Sequence, residues 1–250
     1  TNNEGTLVFN DVTFTYPDGE EPVIKNVSFK AKKGETIAFI GSTGSGKSTL
    51  INLIPRFYDV TGGSIKIDGI DVRDFKIKSL RQKIGFIRQK TLLFTGSIKS
   101  NIKFGKQEAS HDEVVESAKT AQAYDFISKK ELKFDEPIGE GGSNVSGGQK
   151  QRLSIARALV RKPEIYIFDD SFSALDFKTD AILRAELKKE TADAIVLIVA
   201  QRIGSIMEAD KIIVLDEGKV VGCGKHKELL KSCSVYKEIA LSQLTEEELA

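Results

Sequence analysis

The chain has 250 residues, 40% apolar and 29% charged, a composition that excludes a disordered chain and can bury one substantial core. Lysine and arginine total 37 against 36 acidic residues, so no excess of positive charge selects nucleic acid or an acidic membrane, and an anion has to be caught locally. The longest unbroken apolar run, AIVLIVA from Ala194 to Ala200, is far below the ~20 residues that cross a bilayer as a helix.

Along the chain, LVFNDVTFTY (Leu7 to Tyr16) and VIKNVSFK (Val23 to Lys30) are rich in β-formers with partial alternation. The turn-like PDGEE between them predicts an antiparallel, half-exposed pair. TIAFI (Thr36 to Ile40), IYIF (Ile165 to Phe168) and AIVLIVA do not alternate, the pattern of strands covered on both faces in a parallel sheet. The stretch between the first two is too long for a simple crossover. It contains HDEVVESAKTAQAYDFIS (His111 to Ser128), with Val114, Val115, Ala118 and Ala121 spaced for one helix face, so a helical lobe is expected over about residues 89–160. KIIVLDEGKVVGCG (Lys211 to Gly224) reads as a hairpin turning at Glu217 and Gly218. The tail from Lys225 to Ala250 reads as helical, ending in the solvated acidic run TEEELA. Cys223 and Cys233 are too few for a disulfide framework and read as structural or surface thiols in a reducing cytoplasm. No signal-peptide pattern opens the chain. A start at Thr1, with Met207 the sole methionine, is expected of a piece cut from a longer chain, although processing gives the same start.

GSTGSGKS, Gly41 to Ser48, follows TIAFI directly and leads into KSTLINLI, which has helical spacing; it meets the G-x-x-x-x-G-K-[ST] pattern in the strand, loop and helix setting that pattern requires. Glycines let the backbone curl so that successive N–H groups converge on oxygens, with a helix N-terminus behind them. Gly41, Ser42, Thr43, Gly44, Ser45, Gly46, Lys47, Ser48 and Thr49 are therefore the expected phosphate-binding residues. Lys47 brings a movable charge to the β and γ phosphates, and the Ser48 hydroxyl can ligate Mg²⁺. The bland alternative is a flexible Gly/Ser turn; a chance match in a chain this long is roughly a one-in-a-hundred event. IYIFDD supplies a second half, since Asp169, at the C-terminal end of a parallel strand, can reach a magnesium shell beside phosphates.

NVSGGQKQRLSIARAL, Asn144 to Leu159, separates this chain from other phosphate-loop proteins. With it the sequence resembles the nucleotide-binding domain of an ATP-binding cassette (ABC) transporter, and the resemblance covers nearly the whole chain. It implies an α/β P-loop NTPase fold of RecA-like type: a mostly parallel core sheet, an N-terminal antiparallel β lobe and an inserted α-helical lobe. That is one domain over residues 1–250, with residues 1–88 and 161–250 as core and residues 89–160 as helical lobe. In the family, Ser146, Gly147, Gly148 and Gln149 bind the γ-phosphate held by a second subunit, so two ATP molecules are sandwiched head to tail. By resemblance, Tyr16 stacks on adenine, Gln89 approaches Mg²⁺ and attacking water, and SALD (Ser173 to Asp176) touches the opposite subunit. RFYDVTGGSIKIDG, LLFTGSIKSNI and PIGEGGSNVSGGQ look like the exporter branch, whose domains are usually fused behind transmembrane helices at the cytoplasmic face of the cell membrane.

Two positions depart from the family. After the magnesium aspartate it normally has glutamate as general base, and here stands Asp170. The missing methylene withdraws the carboxylate by roughly 1.5 Å, and an error near 1 Å at a reacting centre costs ~100-fold in rate. The residue before Arg202 is normally histidine, and here it is Gln201, whose amide offers donors but does not titrate. Two departures at one phosphate point to one half of a heterodimer: a weak site with Asp169, Asp170 and Gln201, and a hydrolytic site built with the partner and completed by this chain's Ser146 to Gln149. The rivals are a fully active homodimer and a non-transport ABC ATPase acting on DNA or ribosomes. No long coiled coil, second cassette or basic tract supports a nucleic-acid partner.

Overall fold

The computed structural model describes residues 4–244. The TEEELA run lies outside the described residues. The chain divides into two compact units, one of residues 1–84 and 194–250, the other of residues 85–193. Unit 1 opens with β1 (Thr6–Phe14), β2 (Ile24–Lys32), β3 (Thr36–Ile40), α1 (Lys47–Asn52), β4 (Gly62–Ile67), β5 (Ile70–Asp71) and α2 (Ile77–Gln82). The strand β6 (Ile84–Ile87) leads into unit 2, which continues with β7 (Gly96–Ser97), α3 (Ile98–Lys103), α4 (His111–Thr120), α5 (Tyr124–Ser128), β8 (Pro137–Ile138), α6 (Gly147–Leu159), β9 (Ile165–Asp169) and α7 (Phe177–Glu190). The chain then re-enters unit 1 through β10 (Ile195–Val199), β11 (Lys211–Asp216), β12 (Lys219–Gly224), α8 (His226–Ser232) and α9 (Ser234–Leu241).

In unit 1, β1 lies between β2 and β4 in an antiparallel sheet. Its alternation puts Leu7, Phe9, Val12 and Phe14 into the core and leaves Asn10 and Asp11 outside, the half-exposed pattern expected of LVFNDVTFTY. The unbroken apolar run of β3 has the opposite cause: β10 pairs with it on one side and β11 on the other, both parallel, and Ile37 to Ile40 are all buried. Phe29 of β2 meets Phe39 of β3 edge to face at 5.4 Å, which joins the two sheets through one aromatic contact. β11 and β12 form the expected hairpin, turning at Glu217 (φ 43°) and Gly218 (φ 79°). Two positive φ values in a row are what a two-residue hairpin turn demands. The tail is helical through α8 and α9, as far as Leu241.

In unit 2, β9 lies beside β6, and the Ser171 hydroxyl donates to the Ile87 carbonyl at 2.8 Å, tying the chain after β9 to the end of β6. The expected helix from His111 to Ser128 is two helices. The Ala123 N–H bonds the Ala118 carbonyl and the Gln122 N–H bonds the Lys119 carbonyl, with Gln122 at φ 56°. These are the two bonds of a left-handed helix end. Glutamine rather than glycine holds that position, so the sequence carries no stop signal there. Arg157 of α6 ties α3 to the segment before it: it donates to the carbonyls of Asn101 and Leu92 and to the Asn101 side chain, with the Phe94 and Phe104 rings beside it. Burial pushes its guanidinium down to about 10.

Candidate functional site

Unit 1 holds the expected phosphate loop at the C-terminal edge of its central strand. The loop's base, Ser45 to Lys47, is buried and its tip, Ser42 to Gly44, is exposed. Two glycines are required by shape. A Cβ at Gly41 would lie 2.1 Å from the Leu215 carbonyl oxygen, and Gly46 combines φ 101° with a would-be Cβ 2.8 Å from Ile24 Cδ1. Gly46 is also the residue before α1, and it gives that helix no side-chain cap, so the first-turn N–H groups meet no competing side chain there.

Lys47 is 9% exposed and its ammonium is folded into the loop, donating to the carbonyls of Gly41 (2.8 Å) and Ser42 (2.7 Å) and to the Ser45 hydroxyl (3.2 Å). A lysine this buried is rare unless its charge is answered. Here carbonyl dipoles hold the charge at the mouth of a loop whose Gly44 has nothing within 4 Å of a would-be Cβ. An ammonium, open backbone and the hydroxyls of Ser48 and Thr49 together make a donor set that fits phosphate oxygens, with Ser48 able to serve a hard divalent cation. Tyr16 is brought to the same place: its hydroxyl lies 2.9 Å from the Thr49 hydroxyl, and its ring meets Phe14 and Tyr58 edge to face at 4.8 and 5.2 Å. Gln201 follows β10, whose register sets Val199 opposite Phe39, and the Ala200 N–H bonds the Phe39 carbonyl at 3.2 Å. Gln201 thus leaves the sheet at the edge where Gly41 leaves it, with its side chain exposed.

Unit 2 holds the other expected residues, Gln89, Asp169, Asp170 and Ser146 to Gln149. Gln89 donates through Nε2 to Asp170 Oδ2 at 2.9 Å, so the amide and the acid are in direct contact. Asp170 sits at φ 48° and Ser173 donates to its carbonyl at 3.1 Å, which turns the chain sharply after Asp169. Ser146 caps α6 in a reciprocal box: its hydroxyl accepts from the Gln149 N–H at 3.2 Å and its own N–H donates to Gln149 Oε1 at 3.1 Å. The hydroxyl still has its proton to donate. A Cβ on Gly147 would meet nothing within 4 Å, so the helix tip is open, while on Gly148 it would lie 3.3 Å from the Ala174 carbonyl, which sets the tip against the SALD loop. Asp176 caps α7, and the Thr179 N–H and hydroxyl hold its carboxyl below the ordinary range.

Four features were not read from the sequence. The Gly218 N–H donates to the Ser45 carbonyl at 3.1 Å and the Lys25 N–H to the Gly218 carbonyl at 2.8 Å, so the hairpin turn braces the phosphate loop. Thr91 donates to Gln151 at 2.7 Å, fastening the segment after Gln89 to α6. Arg157 clamps the same segment further on. The Gln243 side chain bonds at both Gln201 and Ile203. Only Gly218 left a trace, as a hairpin glycine.

The family described as ABC transporter matches residues 24–173. A Staphylococcus aureus protein named for multidrug export as an ATP-binding/permease protein is 46% identical over 236 residues, 94% of this chain and 41% of its own length. An ABC transporter ATP-binding protein of Mycobacterium bovis is 45% identical over 242 residues, 96% of this chain and 41% of its own. A solved bacterial Atm1-family ABC exporter with ATP bound matches with TM-score 0.91 and 36% identity over 96% of this chain and 42% of that one. The chain thus spans about two fifths of the length of these relatives. With the expected α/β fold present, the family match over more than half its residues and relatives at this identity, the chain belongs to the ABC transporter family.

Proposed function

We propose that the chain is the ATP-binding domain of an ABC exporter subunit, working at the cytoplasmic face of the membrane and coupling Mg·ATP binding and hydrolysis to transport. Lys47 carries this reading: a nearly buried ammonium held by Gly41, Ser42 and Ser45 at the mouth of a glycine-built loop has no structural purpose as economical as meeting a phosphate. The loop, Gly41 to Thr49, would bind the phosphates and Tyr16 the base. Ser48 is the proposed magnesium ligand of the loop; Asp169 and Gln89 are each proposed as metal-binding residues by the family resemblance. When bound, Mg²⁺ neutralises charge on the β and γ phosphates. Transmembrane helices are the proposed partners of this domain in transport, and no helix among the described residues is itself long and apolar enough to cross a membrane. The similarity to proteins named for export supports that placement.

The finer proposal is a heterodimer with unequal sites. Asp170 would act as base by taking a proton from water as that water attacks the γ-phosphorus and the bond to the bridging oxygen breaks to release ADP, but its carboxylate is one methylene short of the family's glutamate and lies against the Gln89 amide. Gln201 cannot become a cation as imidazole does. The open tip of α6 at Ser146 to Gln149 is intact and would complete the hydrolytic site of a second, different ABC subunit. Calorimetric titration of the chain with Mg·ATP tests the core of the proposal. Wild type binds, and Lys47→Met, which keeps the buried stem and removes the charge, loses at least about tenfold in affinity; equal affinity in the two overturns it.

A further inference from the structure

We infer that Gln243 is a positioning residue for the γ-phosphate end of the nucleotide site, acting through Gln201; this rests on the ATP-binding reading above. The amide of Gln243 makes two bonds to one turn: Nε2 donates to the Gln201 carbonyl at 2.7 Å, and Oε1 accepts from the Ile203 N–H at 2.8 Å. Donor and acceptor are both satisfied, and the bonded groups bracket the turn that follows β10. That turn needs an external brace. Gln201 and Arg202 are exposed on either side of the bond it bridges, while Ile203 is fully buried. The short 3-10 turn from Ile203 to Ser205 has no side-chain cap from Arg202, the residue that precedes it.

The brace is itself anchored. Gln243 follows α9, whose Tyr236 and Ala240 are fully buried, and its own N–H bonds the Ala240 carbonyl at 3.0 Å. The Leu244 N–H bonds the same carbonyl at 2.9 Å. The C-terminal segment of unit 1 thus holds by one side chain the backbone of the residue that leaves the sheet beside Gly41. Gln201 has a neutral amide at this place, and a neutral donor gains less from a phosphate than a cation does. What it contributes depends on being held in the right orientation, and Gln243 supplies that hold.

The clasp predicts an effect on the third phosphate and not on the first two. Affinities of the 250-residue chain for Mg·ADP and for a non-hydrolysable Mg·ATP analogue are compared in wild type, Gln243→Ala, Gln243→Met, Gln201→Ala and the double variant Gln201→Ala with Gln243→Ala. Gln243→Met preserves side-chain bulk while removing both bonds. In each Gln243 variant, affinity for the triphosphate falls about three- to tenfold, the worth of a hydrogen bond or two, and affinity for ADP changes less than about twofold. Gln243→Ala has no further effect once Gln201 is alanine, and hydrogen exchange at the Ile203 amide quickens in both Gln243 variants. Parallel loss for ADP and triphosphate, wild-type behaviour of Gln243→Met, or full additivity of the double variant each overturns the inference. A wild-type chain that binds neither nucleotide refutes the ATP-binding reading itself, whereas one that binds both with an unmoved triphosphate-to-ADP ratio in the variants refutes only the clasp.

Discussion

Gly218 lies outside the phosphate-binding pattern, yet its replacement by alanine is expected to be among the costliest single-methyl changes in unit 1. A Cβ there would stand 2.1 Å from the Val23 carbonyl oxygen. Ordinary close carbon–oxygen contacts are about 3.3 Å, so the turn has to withdraw by about 1 Å. At φ 79° the new side chain also sits in the left-handed region, which costs about 1–2 kcal/mol. Withdrawal stretches the two bonds that pass through this residue, Lys25 N–H to the Gly218 carbonyl and Gly218 N–H to the Ser45 carbonyl, each worth about 1 kcal/mol. The sum is about 3–4 kcal/mol, or roughly 10 °C in melting midpoint for a chain of this size. Because one lost bond holds Ser45, whose hydroxyl receives the Lys47 ammonium, Mg·ATP affinity falls as well. Thermal unfolding by circular dichroism, with and without Mg·ATP, reads both effects. The control is Gly204→Ala, where a Cβ meets nothing within 4 Å and the change stays within about 0.5 kcal/mol. If Gly218→Ala costs no more than that control, the brace from hairpin to phosphate loop is refuted.

The buried His226, with Nδ1 2.7 Å from the Tyr236 hydroxyl, has its pKa lowered from 6.5 by burial and then by Lys227. Its neutral form is favoured by the fold, so its stabilising contribution is complete above pH 6.5 and is lost as pH falls toward the lower folded value; melting midpoints from pH 8 to 5 should drop more steeply below 6.5 in wild type than in His226→Gln. Arg157→Lys removes the planar fork that serves Asn101 and Leu92 and leaves the part-buried Asn101 acceptors short of donors, an expected loss of about 1–2 kcal/mol in urea unfolding, against little change if the clamp is idle.

Legibility in the sequence followed the range of the forces involved. The central strands could be read because burial on both faces leaves an unbroken apolar run, and TIAFI is β3 residue for residue. The glycine-built loop after β3 was legible because its glycines answer local backbone demands, whereas the reciprocal cap of Ser146 and Gln149 on α6 was not read, although a serine and a glutamine three apart can form it. The split between α4 and α5 was not, since Gln122 accepts a left-handed conformation that propensity does not announce. The clasp of Gln243 on Gln201, 42 residues apart, and the fastening of Thr91 to Gln151, 60 apart, depend on tertiary placement and leave no mark in spacing. The contact between Gln89 and Asp170 was likewise invisible, although both residues had been singled out.

The unequal-sites proposal is tested most directly by single-turnover release of γ-phosphate from Mg·ATP by the wild-type chain and by Asp170→Glu with Gln201→His. Two copies of that variant would supply the longer acid, the titratable ring and the intact helix tip to each site, so the proposal predicts a rate at least tenfold and up to ~100-fold above wild type. A wild-type chain that hydrolyses as fast as the variant contradicts it and makes Asp170 an adequate base in a symmetric enzyme.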